Sequence, residues 1–334
     1  MTKPLVSVLC ITYNHVQFIR SCLESLVSQR CDFTFEIIIY DDASTDGTRD
    51  IVLEFQKKYP ELIRPILREE NQWFKNPGVI DILYNNPQAK GEYIAICEGD
   101  DFWIGQDKLQ KQVGILEKYP ECSMTCGAYV LKDDGKEKVV RQNKWLTNHP
   151  EDERGKIFEL EDLRSTFFIK TSTTLFRNIP SLFDQLNKYD LCLDMHIFYL
   201  LLRVGKGYYK REILAGYNKH QAGVYSGSHQ QEVLLAQYLI LKNMYEIDGD
   251  EFFRKKYLKL ALSVLNLKIS GLMLWNKNIK QKFLQNRNPS VFRVVKDIKP
   301  VLQTKVEKQE FYRNLIPVQA KVLKQRIKHV FTKN

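Results

Sequence analysis

The sequence predicts an α/β protein built on a mostly parallel sheet, and two observations carry that prediction. Short β-branched apolar runs without polar alternation recur in the N-terminal part, the pattern of strands buried on both faces. Between them lie segments whose apolar residues return at helical spacing, and strands alternating with helices close into a parallel sheet. A third observation points toward function. Each apolar run ends in a polar cluster, and open sheets of this kind bind ligands beyond the carboxyl ends of their strands.

Taken in order, "LVSVLCITY" (Leu5 to Tyr13) reads as the first buried strand and "FIRSCLESLVSQ" as the helix after it. "FEIIIYDDASTDGT" is a second strand running into a turn, and "TRDIVLEFQKKYP" is a helix stopped by Pro60. "RPILREE" is a third strand, residues 78–90 are helical, and "GEYIAICEGDD" is a fourth strand. "QDKLQKQVGILEKYP" follows as a helix. From about residue 120 to 230 shorter strand-like pieces mix with a helix at "LDMHIFYLLLRVGK". Beyond Gln230 the pattern is almost wholly helical and basic, so the expected organisation is a domain over residues 1–230 and a helical region over 231–334.

Composition narrows the function classes. At 334 residues, 44% hydrophobic and 27% charged, the chain can bury a large core. Its 7 cysteines include no CxxC pair, which argues against a disulfide framework and a structural zinc site and for the reduced thiols of a cytosolic protein. The N-terminal apolar run is too short for a signal peptide, and no run reaches the roughly 18 apolar residues of a membrane span. No GxGxxG follows the first strand and no GxxxxGK[ST] is present, so no glycine loop is there to cradle phosphates. Charge is uneven: from Glu251 onward there are 20 Lys or Arg against 4 Asp or Glu, leaving 30 against 36 in the rest. An amphipathic basic tail such as "VQAKVLKQRIKHVF" suits an anionic lipid surface, or packing on the same chain or a second copy of it. Nucleic acid is not expected, because no nucleic-acid motif accompanies the charge. The expected location is the cytoplasm, including the inner face of the cell membrane.

"AICEGDDFW" places Glu98, Asp100 and Asp101 within four residues at the end of a buried strand. Like charges this close repel, so a basic side chain or a metal ion is expected beside them. The competing reading is a turn that caps the next helix. Asp41 and Asp42 sit directly at another strand end, where a carboxylate accepts a nucleobase imide N–H or a ribose hydroxyl, while Ser44, Thr45 and Asp46 suit helix capping.

Together, "VSVLCITYNH", "IIIYDDASTDGT" and "AKGEYIAICEGDDFW" with "KLQKQV" behind it resemble, over roughly residues 4 to 225, the family-2 inverting glycosyltransferases of the GT-A fold. Bacterial capsule and lipopolysaccharide enzymes are the most similar in style. The resemblance implies a hexosyl- or N-acetylhexosaminyltransferase that uses a nucleotide sugar, above all a UDP-sugar, and a glycan or lipid-linked acceptor. It assigns Thr12, Tyr13, Asp41, Asp42, Glu98 and Asp100 to the nucleotide, and Asp100 with His220 to a Mn2+ or Mg2+ ion. "EGD" replaces the family's DxD. Asp101 assists or caps the next helix, Lys219 offers charge to the diphosphate, and Phe102 and Trp103 line the acceptor or simply pack. Asp194 takes the place of the catalytic base, with Leu193 where the family usually has Glu. Asp190 is its rival, and a place in the first helical turn favours the ionised carboxylate. His196 is expected to be structural. Two other classes compete on the same residues: a nucleotidyltransferase lacks its Gly-rich loop here, and a silent binding module is favoured only by Leu193.

Overall fold

The computed structural model describes residues 3–72, 89–141, 155–165, 167–189, 192–220 and 230–269, with 308, 309 and 313. The predicted helix at 78–90 falls almost wholly outside them, as do Asp190 and most of the basic tail.

β1 (Val6–Thr12) is the axis of the sheet. Val6, Val8 and Cys10 have no exposed surface and Leu9 is 1% exposed, which is what an unalternated β-branched run demands of its two faces. β2 (Phe35–Asp41) and β4 (Tyr93–Glu98) flank it in parallel, and β3 (Ile63–Leu67) extends β2 in the same sense. α1 (Ile19–Val27) buries Ile19, Cys22, Leu23 and Leu26, a helical stripe against that core. α2 (Thr48–Lys58) starts behind Gly47, whose φ of 99° is left-handed and suits a residue without Cβ. Just before it, the Asp46 carboxylate accepts the Thr48 N–H at 3.0 Å.

The chain continues through β5 (Phe102–Trp103), α3 (Lys108–Lys118), β6 (Cys122–Asp133), β7 (Lys136–Val140), β8 (Gly155–Phe158) and α4 (Leu160–Ser165). A 3₁₀ turn (Thr171–Thr173) then leads into β9 (Leu175–Arg177), α5 (Pro180–Leu186), α6 (Asp194–Val204) and β10 (Lys206–Lys219). Among the described residues the sheet order is β3-β2-β1-β4-β9-β6-β10-β5, with β7 on β6 and β8 on β10. β10 runs parallel to β6, but β9 is antiparallel to both β4 and β6, and β5 and β8 are antiparallel to β10. The parallel expectation therefore describes β1 to β4, and the later strands make the sheet mixed. Of the strand-like pieces expected to be short, β7, β8 and β9 are so, with 5, 4 and 3 residues, whereas β6 has 12 and β10 has 14.

The chain divides into two compact units, Met1–Lys188 with Cys192–His220, and Tyr189–Leu191 with Gln221–Asn334. In the second, α7 (Gln230–Asp248) and α8 (Glu251–Ile269) pack together through Tyr238, Tyr245 and Tyr257.

Candidate active site

The parallel register aligns three polar strand ends. Thr12 pairs with Asp41 across β1 and β2, and Ile11 pairs with Glu98 across β1 and β4, so all three ends finish level. Gly99 follows with its N–H on the Ile11 carbonyl at 2.7 Å, and a Cβ there would lie 2.7 Å from the Thr12 side chain. Only glycine lets the acidic loop pass this close to β1.

The loops after β1 and β2 are stitched into one surface. The Asn14 N–H donates to Ser44 Oγ at 2.9 Å, the Thr45 N–H to Asn14 Oδ1 at 2.8 Å, and the His15 N–H to Thr48 Oγ1 at 2.8 Å. Asp41 is fully buried, and its Oδ2 accepts from the Ser44 N–H at 3.1 Å and from Arg49 Nε at 3.2 Å. Its Oδ1, like the Oγ1 of buried Thr12, has no partner among the described residues. Unpaired acceptors in a protein interior are costly, and these two at one strand edge keep hydrogen-bonding capacity that a ligand could use. Asp42 is 2% exposed and accepts from the Gln72 N–H at 2.8 Å. Tyr13 is half-buried, and burial together with the charge of Asp42 raises its pKa.

The acidic cluster divides into two halves with different partners. Lys170 Nζ lies 3.0 Å from Glu98 Oε2 and 3.1 Å from Asp101 Oδ2, and sits 3.9 Å from the centre of the Tyr217 ring. Burial alone would depress this lysine, but the two carboxylates hold its pKa well above the ordinary value. Asp101 is 1% exposed; burial and the charges of Glu98 and Asp100 push it well up, against the opposing charge of Lys170. In the other half, Asp100 Oδ2 lies 3.0 Å from His220 Nε2 and 3.7 Å from His15 Nε2. Burial works to raise Asp100, yet the hydrogen bond with His220 and the charges of His15 and Lys170 outweigh it and hold it at about 2.

Asp194 opens α6. Its Oδ2 accepts from Thr171 Oγ1 at 2.7 Å and its Oδ1 from the Met195 N–H at 2.8 Å. Thr171 and Lys170 belong to the turn that a buried layer fixes from below. Trp103 Nε1 donates to the Ser172 carbonyl at 2.9 Å, and Gln112 Nε2 to the Thr173 carbonyl at 2.9 Å. Lys108, 1% exposed, donates to Gln112 Oε1 at 2.7 Å from above the Trp103 ring.

A family model for glycosyl transferase family 2 matches residues 7–179, just over half of the chain. The chain belongs to glycosyl transferase family 2. An uncharacterised protein of Mycobacterium tuberculosis is 31% identical over 226 residues, covering 67% of this chain and 61% of its own length. The putative teichuronic acid biosynthesis glycosyltransferase TuaG of Bacillus subtilis is 34% identical over 133 residues, 40% of this chain and 50% of TuaG. This chain thus spans less than two thirds of either relative. Among solved structures, S. aureus TarS in complex with UDP-GlcNAc superposes with a TM-score of 0.55 at 18% identity, covering 96% of this chain and 88% of that one. The mannosyltransferase PcManGT from Pyrobaculum calidifontis, in complex with GDP-Man and Mn2+, gives 0.52 at 16% identity over 100% and 89%. At these identities the two structures share the GT-A fold with the family-2 chain.

The structure places the other expected residues as follows. Asp101 caps no helix: Asp107 holds the N-cap of α3, and Asp101 faces Lys170 and accepts the Asn218 N–H at 3.3 Å. Lys219 is exposed and paired with Asp133 at 2.7 Å, so the cation inside the cluster is Lys170. Trp103 is 4% exposed and structural, and Phe102 packs over Gly216, where a Cβ would sit 2.1 Å from its ring. The first helical turn does not leave Asp194 with a low pKa. Burial and the charge of Glu98 raise it, despite Thr171, Lys170 and the Met195 N–H, because desolvation in a closed site outweighs a helix terminus. His196 is buried and structural as expected: its Nδ1 accepts from the Leu193 N–H at 3.0 Å. Sequence reasoning gave no role to His15, Lys170 or Thr171. His15 stood in the quoted "YNH", but nothing in "FIKTST" distinguishes a site from an ordinary turn.

Proposed function

We propose that this family-2 chain transfers a sugar from a UDP-sugar to a hydroxyl of a glycan or lipid-linked acceptor in surface polysaccharide synthesis, inverting the anomeric carbon. The observation that carries this reading is the convergence of Thr12, Asp41 and Glu98 on one strand edge, with Asp100 beside them and Asp194 held by Thr171. The buried, unpaired Asp41 Oδ1 suits the imide N–H of uracil, and Thr12, Tyr13, Asp42 and Glu98 surround the rest of the nucleoside. TarS with UDP-GlcNAc, PcManGT with GDP-Man and Mn2+, and TuaG, a putative teichuronic acid biosynthesis glycosyltransferase, support a nucleotide-sugar donor and a cell-surface product.

Asp100 and His220 present a carboxylate oxygen and an imidazole nitrogen 3.0 Å apart, a donor pair that fits one divalent ion. A bound Mn2+ or Mg2+ supplies charge compensation for the leaving diphosphate. Asp194 accepts the proton of the acceptor hydroxyl as its oxygen attacks the anomeric carbon from the side opposite the diphosphate. The bond from that carbon to the diphosphate oxygen breaks, and the nucleoside diphosphate leaves with the electron pair. A raised pKa strengthens Asp194 as a base, and the hydrogen bond from Thr171 aims it. Asp194→Asn keeps the shape and both neighbours, so UDP binding should persist while transfer falls by about 10²–10⁴-fold, the usual worth of a general base. Calorimetry with UDP and Mn2+, beside a transfer assay on a lipid-linked acceptor, checks both halves. Turnover at the wild-type rate removes Asp194 from the role.

A further inference from the structure

We infer that His15 is a third protein ligand of the divalent-cation site, making that site select a first-row transition ion such as Mn2+ over Mg2+. The inference rests on the reading above that Asp100 and His220 hold the ion, and it extends that reading to a residue of the first loop and to the identity of the metal.

Three ligand atoms meet at one point: an oxygen of Asp100 and a ring nitrogen each of His15 and His220, all within 4.8 Å of one another. Ligands about 2.1 Å from a shared ion lie about 3 Å apart when adjacent and about 4.2 Å apart when opposite. The distances of 3.0 Å from Asp100 to His220 and 3.7 Å from Asp100 to His15 fall in that range. The three side chains are comparably enclosed, at 16%, 16% and 15% exposure, so the point is sheltered yet reachable by a second molecule.

His15 is also fixed where it stands. Its N–H donates to Thr48 Oγ1 at 2.8 Å, and its carbonyl accepts both the Phe18 and Ile19 N–H groups at 2.8 Å as α1 begins. Asn14 before it takes a left-handed φ of 54°, which sets the direction of the loop. On the far side, Phe18 lies 4.6 Å from the His220 ring, centre to centre, and holds that imidazole from the same loop. One short segment therefore supplies one ligand and supports another, and it joins the end of β1 to the acidic loop after β4.

The donor set then decides the metal. Mg2+ prefers oxygen ligands, keeps several waters and sheds them reluctantly, whereas imidazole suits transition ions. One carboxylate with two imidazoles penalises Mg2+ relative to Mn2+. The competing role for His15 is that of a charge partner to Asp100 that never touches the ion.

The test is Mn2+ binding to the 334-residue chain without donor or acceptor, followed by electron paramagnetic resonance with Mg2+ as competitor. Pulsed measurements that count imidazole nitrogens coupled to Mn2+ are run on wild type, His15→Ala, His15→Gln and Asp100→Ala. Two coupled nitrogens are expected in wild type and one in either His15 variant, with Mn2+ affinity about tenfold or more weaker and the preference over Mg2+ reduced. Circular dichroism and melting temperature show whether each variant is folded, and two substitutions guard against one that is not. Unchanged affinity and two nitrogens in folded His15 variants overturn the inference while leaving the metal reading intact. Mn2+ binding that survives in Asp100→Ala, or is absent from wild type with and without UDP, overturns the metal reading itself and this inference with it.

Discussion

Replacing Lys170 by methionine removes the one cation that, among the described residues, faces Glu98 and Asp101 together, while keeping the length of the side chain. The lysine is 18% exposed and Asp101 not at all, so the pair belongs to the interior more than to the surface. At 3.0 and 3.1 Å and an effective dielectric of about 20, each contact is worth roughly 5 kcal/mol of gross attraction. Most of that offsets the desolvation of the ions. The measurable quantity is the cost of leaving a buried carboxylate without its partner, about 3–5 kcal/mol. At roughly 2–4 °C per kcal/mol the melting temperature of Lys170→Met should fall by on the order of 10 °C. Adding Asp101→Asn should restore much of the loss, because the stranded charge is then gone. Thermal unfolding of the two variants and wild type at neutral pH decides the matter. A drop below about 1 kcal/mol, the worth of an exposed pair, refutes the claim that Lys170 answers the acidic cluster.

Two further outcomes are expected. Burial holds the fully enclosed His196 at about 4, whereas a histidine of the unfolded chain titrates near its ordinary value of 6.5. The unfolded chain therefore takes up a proton first, so this contribution is complete above about pH 6.5 and is lost as pH falls toward 4, to a total of about 3 kcal/mol. Urea unfolding at pH 7 and pH 4.5 should show a larger acid loss in wild type than in His196→Gln, and equal losses dismiss the argument. The basic C-terminal region, with 20 Lys or Arg against 4 Asp or Glu from Glu251 onward, should sediment with phosphatidylglycerol vesicles and leave them as salt rises. Equal binding to neutral phosphatidylcholine vesicles counts against an electrostatic contact.

What was legible in the sequence was local. β1, β2 and β4 announce themselves because an uninterrupted β-branched run has no low-energy home except a strand covered on both faces. The polar residues at their ends followed at once, since parallel strands finish on one edge. β10 was harder to read. Its pairing with β6 shifts register between Lys210 and Ile213 and again between Ile213 and Ala215, so "KGYYKREILAGYNK" breaks into fragments when scanned for a period of two. Lys170 lies 72 residues from Glu98, and Thr171 lies 23 from Asp194. No periodicity reports such pairs, which exist only because β9, set between β4 and β6, brings the preceding turn to the sheet edge. The charge pattern nevertheless required something there: three carboxylates at the end of a buried strand called for a cation, and Lys170 is the one the fold supplies.

That supply is incomplete, and the shortfall bears on the proposed chemistry. Glu98, Asp100 and Asp101 bring three carboxylates, Asp101 with its pKa pushed well up by burial and its neighbours, while Lys170 is shared between Glu98 and Asp101. Lys219, the other lysine considered for this edge, is taken by Asp133. Asp100 is held ionised at about 2 beside His220 and His15, so it remains a carboxylate at any physiological pH. An edge with this balance repels a diphosphate unless positive charge arrives with it. On the proposed reading, a divalent ion held by Asp100 and His220 would reverse the local sign, and ion and donor would bind better together than apart. The acidic loop thus reads as half of a binding site whose other half comes with the ion.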